Sequence, residues 1–308
     1  MDKKSIFVTR PSMPPYEEYV KRIKPLWDKR ILTNMGEHHQ TLEKCLCSYL
    51  KANFVSLMTN GHMALEMAMQ SMNLSGEVIT TPFTFVSTVH AIKRTNLTPV
   101  FCDINENDFT IDVSKIESLI NKHTCAIVPV HVFGRICNVE KLSEIAKKYD
   151  LKIIYDASHT FGATYKGEHI ANFGDISTLS FHATKVFNTI EGGAVVYHDE
   201  TVGRELYSLK NFGIRSENVI DGIGANAKMD EFRAIMGICN LQYIDSELKK
   251  RQMVHDKYIE LLDGIEGLVL PYIQKYVKSN YAYFPVLFDS DILGCDRDLI
   301  YGKLMEKG

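Results

Sequence analysis

Lys185 lies in Ser180-Phe181-His182-Ala183-Thr184-Lys185, just past the apolar run Ile176–Phe181. A lysine at the end of a buried strand is held by backbone instead of being carried on a solvated helix face. An apolar or cationic setting lowers the pKa of such an amine, and the neutral amine can form a Schiff base with a carbonyl. Ser180, in the same segment, can donate to a phosphate oxygen. Asp156 follows the apolar run Leu151–Tyr155 and precedes Ala157-Ser158-His159. A carboxylate there can keep a pyridinium nitrogen protonated, which makes a pyridine cofactor an electron sink. His159 stands three residues on, within reach of the phenolic oxygen of such a ring. Thr59-Asn60-Gly61-His62 ends one apolar run and opens a helical pattern. Free amides at a helix start suit a phosphate, and glycine lets the backbone approach it closely. Phe85, in Thr81-Pro82-Phe83-Thr84-Phe85, offers an aromatic face for a planar ring.

Each of these residues has an ordinary reading when taken alone. Lys185 would be a solvated charge, Asn60 and Asp156 helix caps, and Phe85 a core ring. Their joint occurrence at successive strand ends favours a site for pyridoxal 5′-phosphate (PLP), with Lys185 as its Schiff-base lysine.

The elements that must position these residues follow a βαβα rhythm. Buried strands are expected at Val55–Thr59, Val78–Thr81, Pro99–Asp103, Ala126–Val132, Leu151–Tyr155, Ile176–Phe181 and Gly193–Tyr197. Helical patterns lie between them at Gly61–Met72, Phe85–Thr95, Val113–Asn121 and Val139–Tyr149. Continuous apolar strands alternating with helices predict an α/β fold, with a mainly parallel central sheet and helices on both faces. Right-handed crossovers then gather the strand C-termini on one edge, where ligands bind. Further on, Thr201–Asn211 reads as a helix, Gly213–Ala227 as a loop and Met229–Arg251 as a long helix continued by His255–Leu262. A strand at Val286–Phe288 and a last helix near Asp296 follow. We therefore expect a large cofactor domain over residues 1–245, with an N-terminal arm, and a partial small α+β domain over 246–308.

Composition excludes several classes. Over 308 residues the formal net charge is −3, with basic residues scattered, which gives no footprint for nucleic acid or an acidic membrane. The seven cysteines are dispersed without a CxxC pair and read as reduced thiols. No apolar run nears the roughly 20 residues that span a bilayer, and the N-terminus lacks a signal-peptide core. A cytoplasmic enzyme is expected. The eleven histidines show no metal-binding spacing. Gly222-Ile223-Gly224-Ala225-Asn226-Ala227 fits a dinucleotide-type pattern, but no buried strand runs into it.

The segments Thr59–Leu65, Ile79–Thr88, Pro129–Gly134, Ile154–His159 and Ser180–Lys185 running to Glu191-Gly192-Gly193-Ala194 resemble the DegT/StrS-type sugar aminotransferases. The resemblance implies PLP fold type I, the aspartate aminotransferase-like fold, with a C-terminally truncated small domain. It implies that Lys185 is the Schiff-base lysine and general acid/base, that Asp156 partners the pyridine nitrogen and that His159 faces the phenolic oxygen. Phe85 resembles the stacking ring, and Gly61, His62 and Ser180 resemble phosphate ligands. Asn226 resembles an asparagine that reaches the phosphate from a neighbouring subunit, which implies a homodimer with shared active sites. The implied reaction moves an amino group, usually from L-glutamate, to a nucleotide-linked keto-sugar. Val8–Ser12, Leu32–Asn34 and His182–Thr189 look most like C4-aminotransferases that form dTDP-4-amino-4,6-dideoxyglucose. A C3-aminotransferase and a non-catalytic or regulatory PLP-binding relative are the alternatives.

Overall fold

In a computed structural model residues 6–308 are described; the first five residues of the expected N-terminal arm lie outside the described residues. Helices α1 (Tyr16–Ile23), α2 (Leu26–Lys29) and α3 (Glu37–Leu50) lead into the alternating region. There β1 (Phe54–Met58), α4 (Gly61–Ser71), β2 (Glu77–Thr80), α5 (Val86–Arg94) and β3 (Thr98–Phe101) follow one another. Then come α6 (Val113–Ile116), β4 (Thr124–Ile127), α7 (Val139–Tyr149) and β5 (Lys152–Asp156). After the short strands β6 (Thr164–Tyr165) and β7 (Glu168–His169), β8 (Ile176–Ser180) and β9 (Gly193–Tyr197) complete the main sheet. Helices α8 (Glu200–Leu209), α9 (Glu231–Leu241) and α10 (Ile244–Leu262) close this part of the chain.

The seven expected strands form one sheet in the order β1-β9-β8-β5-β4-β2-β3. Only β9 is reversed: it pairs antiparallel with both β1 and β8, while β8, β5, β4, β2 and β3 are parallel. Alternation along the strands feeds two cores. Leu57, Ile79, Ile127, Ile153, Tyr155 and Leu179 pack into one layer. Met58, Val78, Ala126, Ile154, Ile176 and Val195 pack into the other. Both faces are thus covered, as continuous apolar strands require. Asp156 has the parity of Ile154 and faces the layer that holds α4 and α5.

Four expectations change in detail. The strand from Ala126 stops at Ile127 because Pro129 has no N–H for the ladder; beyond it only Val130 bridges to Asp156. The helix from Val113 gives way at Glu117 to a tighter 3₁₀ turn. The long helix from Met229 is two helices. The Asp230 side chain accepts from the Arg233 amide at 2.9 Å, so α9 starts at Glu231. The chain then turns at Gln242 and Tyr243 before α10. The expected loop at Gly213–Ala227 holds a small hairpin, Ile214–Ser216 with Val219–Ile220.

Candidate active site

The C-terminal ends of β1, β2, β4, β5 and β8 open into one cavity of about 660 Å³. Gly61, His62, Phe85, Asp156, His159, Ser180 and Lys185 all line it. Seven of the eight residues singled out from sequence therefore meet in one place. Asn226 does not line this cavity; it is exposed, and its backbone bridges to Asn211.

Asp156 ends β5 and is buried. The Thr88 hydroxyl donates to its Oδ2 at 2.8 Å and the Ser158 amide to its Oδ1 at 3.2 Å. Thr88 is itself joined to Thr84 at 2.8 Å, so the carboxylate is fixed from α5 as well as from its own turn. Fixed this way, it can hold a cation that enters the cavity. Lys185 is half-buried past β8, and its amide donates to the His182 carbonyl at 2.9 Å. Burial pushes its pKa down, against the pull of Asp156. Among the described residues its ammonium has no hydrogen-bond or ion-pair partner. An amine with no partner and a lowered pKa suits Schiff-base formation and proton transfer.

His159 is held by the Phe133 amide, which donates to Nδ1 at 3.1 Å. Nδ1 must therefore offer its lone pair, and the proton sits on Nε2. Burial, helped by the Lys185 charge, pushes its pKa down to about 4, so the ring is a neutral donor at pH 7. Tyr283 leans on it with ring centroids 4.8 Å apart. His131 behaves alike: the Cys137 amide donates to its Nδ1 at 3.1 Å, and burial lowers its pKa to about 3.

These two histidines set a pH dependence. Their folded pKa values lie below the ordinary 6.5, so the unfolded chain binds more protons as pH falls. Stability is full above pH 6.5 and is lost progressively towards about pH 4 and 3, by up to about 1.4 kcal/mol per pH unit for each ring. Glu43, held at about 2, adds its loss only below its ordinary 4.5. The urea midpoint of the cofactor-free protein is therefore expected to drop from pH 7 to pH 5, and less so in His159→Gln. An unchanged midpoint would contradict the neutral assignment.

The phosphate end is built from α4. The Asn60 side chain caps the helix by accepting from the Met63 amide at 2.8 Å. That leaves the amides of Gly61 and His62, its first two positions, without acceptors inside the helix. Ser180 stands directly opposite: a Cβ on Gly61 would meet Ser180 Cβ at 2.7 Å. Gly193 at the start of β9 is equally constrained, since its Cβ would meet the Asn60 carbonyl oxygen at 2.5 Å. The backbone cradle thus depends on two glycines. The His62 side chain is already engaged, 2.7 Å from Ser87 Oγ and 3.5 Å from Glu66. Its amide is the group left for an anion. Phe85 caps α5, is 74% exposed as a residue, an uncommon state for phenylalanine, and lines the cavity.

The family model of the DegT/DnrJ/EryC1/StrS aminotransferases matches residues 16–308. The chain belongs to this aminotransferase family. A dTDP-4-amino-4,6-dideoxy-D-glucose transaminase of Shigella dysenteriae is 43% identical over 98% of this chain and 82% of that protein. The transaminase of the same name from Escherichia coli is 39% identical over 100% of this chain and 82% of its own length. Among solved structures, DesI in the presence of its TDP-sugar product superposes with a TM-score of 0.94 at 29% identity, over 100% of this chain and 78% of that one. As an aminotransferase of this family the chain is a PLP-dependent sugar aminotransferase with PLP fold type I.

The residues present fit the cofactor. The unpartnered amine of Lys185, the fixed Asp156 carboxylate and the open amides beside Gly61 supply an amine, an anion and an anion cradle in one cavity. Sequence reasoning missed Thr88, Ser158 and Tyr283. Thr88 joins Asp156 across 68 residues, and Tyr283 arrives from the far end of the chain, so no local pattern announces either. Ser158 follows Asp156 by two residues in the turn pattern typical of Asx residues, which was a usable signal. Among the described residues no helix is long and apolar enough to cross a membrane.

Proposed function

We propose that this enzyme transfers an amino group from L-glutamate to C4 of dTDP-4-keto-6-deoxyglucose, forming dTDP-4-amino-4,6-dideoxyglucose for a surface glycan. The observation that carries this reading is the 43% identity over 98% of the chain to a transaminase of that name. When bound, PLP supplies the electron sink for breaking a C–H bond next to nitrogen. Lys185 would hold the cofactor through its amine and would take and return the proton at the substrate carbon. Asp156 would keep the pyridine nitrogen protonated, and the Nε2–H of His159 would be the donor for the phenolic oxygen. Phe85 would offer its face to the ring. The amides of Gly61 and His62, with Ser180 opposite, would hold the phosphate.

In the same reading the enzyme is a cytoplasmic homodimer, and Asn226 reaches the phosphate held by its neighbour. The exposure of Asn226 and its absence from its own cavity support that role. Residues 1–245 form the large domain and 246–308 belong to a smaller one. In support, every strand after Leu262 is two residues long, and of residues 263–308 only Asn280 is buried. The test is incubation with dTDP-4-keto-6-deoxyglucose and L-glutamate, with NMR of the product. An amine on C4 and an equal yield of 2-oxoglutarate are expected. An amine on C3, or no aminated sugar, would overturn the assignment.

A further inference from the structure

Lys210, which ends α8, is 3% exposed and lies outside the cavity. Its ammonium donates to Ser56 Oγ at 2.9 Å, to Glu43 Oε1 at 3.3 Å and to the Leu57 carbonyl at 3.4 Å. It also lies 3.5 Å from His39 Nε2, and the same nitrogen is 3.2 Å from Glu43. Glu43 reaches the Leu57 amide at 3.0 Å. A buried ammonium is costly unless fully paired, and this one is. The cluster joins α3, β1 and the end of α8, yet none of its members touches the cofactor cavity.

What the cluster grips is the chain around Asn226. The Ala225 amide donates to the Leu209 carbonyl at 2.8 Å, and the Ala227 amide to the carbonyl of Lys210 itself at 3.0 Å. The Ala227 carbonyl accepts from the Thr59 amide at 2.7 Å. His39 Nδ1 lies 3.1 Å from the Met229 carbonyl, which can only accept, so Nδ1 is the donor. Asn226 thus projects, exposed, from backbone clamped on both sides, by Leu209 before it and by Lys210 and His39 after it.

We infer that Lys210 is a positioning residue for the neighbouring subunit's active site: its buried cluster fixes the backbone that presents Asn226 to the neighbour's cofactor phosphate. The inference rests on the reading that Asn226 crosses between subunits. It makes a distinctive demand: damage passed on through Asn226 must be felt in the other subunit's site, whereas damage passed on through Ser56 and Leu57 to the Gly61 turn would be felt in its own.

Hybrid dimers test this. In the Lys210→Met homodimer the affinity for PLP, titrated by the visible band of the lysine-bound cofactor, is expected to fall roughly 10- to 100-fold, the worth of one charge-assisted hydrogen bond. Two differently tagged subunits are then co-expressed, one carrying Lys210→Met and the other Lys185→Ala. In the purified hybrid the one site with its lysine receives Asn226 from the subunit whose Lys210 is intact. Wild-type affinity is expected there. Affinity as weak as in the Lys210→Met homodimer, or no weakening in that homodimer, overturns the inference. A second hybrid, Asn226→Ala with Lys185→Ala, separates the two failures. If it recovers and the Lys210→Met hybrid does not, only the role of Lys210 falls. If it does not recover, the crossing of Asn226 falls and the inference with it. Should Lys210→Met fail to fold, Glu43→Gln is read in the same hybrid with the same expected outcomes.

Discussion

Lys185→Ala is expected to bind PLP without its visible lysine-bound band and to lose roughly 10³-fold or more in transamination rate. The lysine's side chain forms no hydrogen bond or ion pair among the described residues, so its removal leaves no buried polar partner unsatisfied. The fold is held instead by the two apolar layers of the sheet. Circular dichroism and the urea midpoint should therefore stay close to wild type while the band vanishes. A variant that keeps the band would mean that another lysine carries the cofactor. A variant that unfolds would mean that Lys185 is structural.

Asp156→Asn is expected to retain PLP but to react roughly 10²- to 10⁴-fold more slowly. That range corresponds to the 3–5 kcal/mol typical of breaking a buried ion pair. The substitution keeps size and hydrogen-bonding capacity. The Thr88 hydroxyl, poised between Thr84 and Asp156, can turn to accept from the new amide, and the Ser158 amide can still donate to the remaining oxygen. What the amide cannot do is hold a positive charge on the pyridine nitrogen. Single-turnover rates with L-glutamate, with cofactor content checked by release in alkali, measure the effect. Wild-type rates in a fully loaded Asp156→Asn enzyme would remove the aspartate from the chemistry.

The strands of the main sheet were legible because all but the edge strand β3 are buried on both faces and so read as unbroken apolar runs. Once they were placed, parallel order put Gly61, Phe85, Asp156, Ser180 and Lys185 on one edge without further information. The reversal of β9 was not legible, since its sequence, Gly193–Tyr197, is as apolar as that of its neighbours. Its direction matters because it brings Gly193 against Asn60. Groups that complete the site across long stretches of chain were hidden for the same reason. Thr88 finds Asp156 only through the packing of α5, and Lys210 finds Glu43 across 167 residues. The pattern at Gly222–Ala227, set aside as a dinucleotide motif, proves to be backbone laid beside the end of α8, with Asn226 at its surface. His62, expected among the phosphate ligands, has its side chain engaged by Ser87 and Glu66, which leaves its amide for an anion.

The central claim is that the amine of Lys185 carries PLP in this cavity. Borohydride reduction of the PLP-loaded protein, followed by proteolysis and mass spectrometry, tests it most directly. A pyridoxyl group on Lys185 alone is the predicted result. Modification of any other lysine with Lys185 untouched would contradict the account.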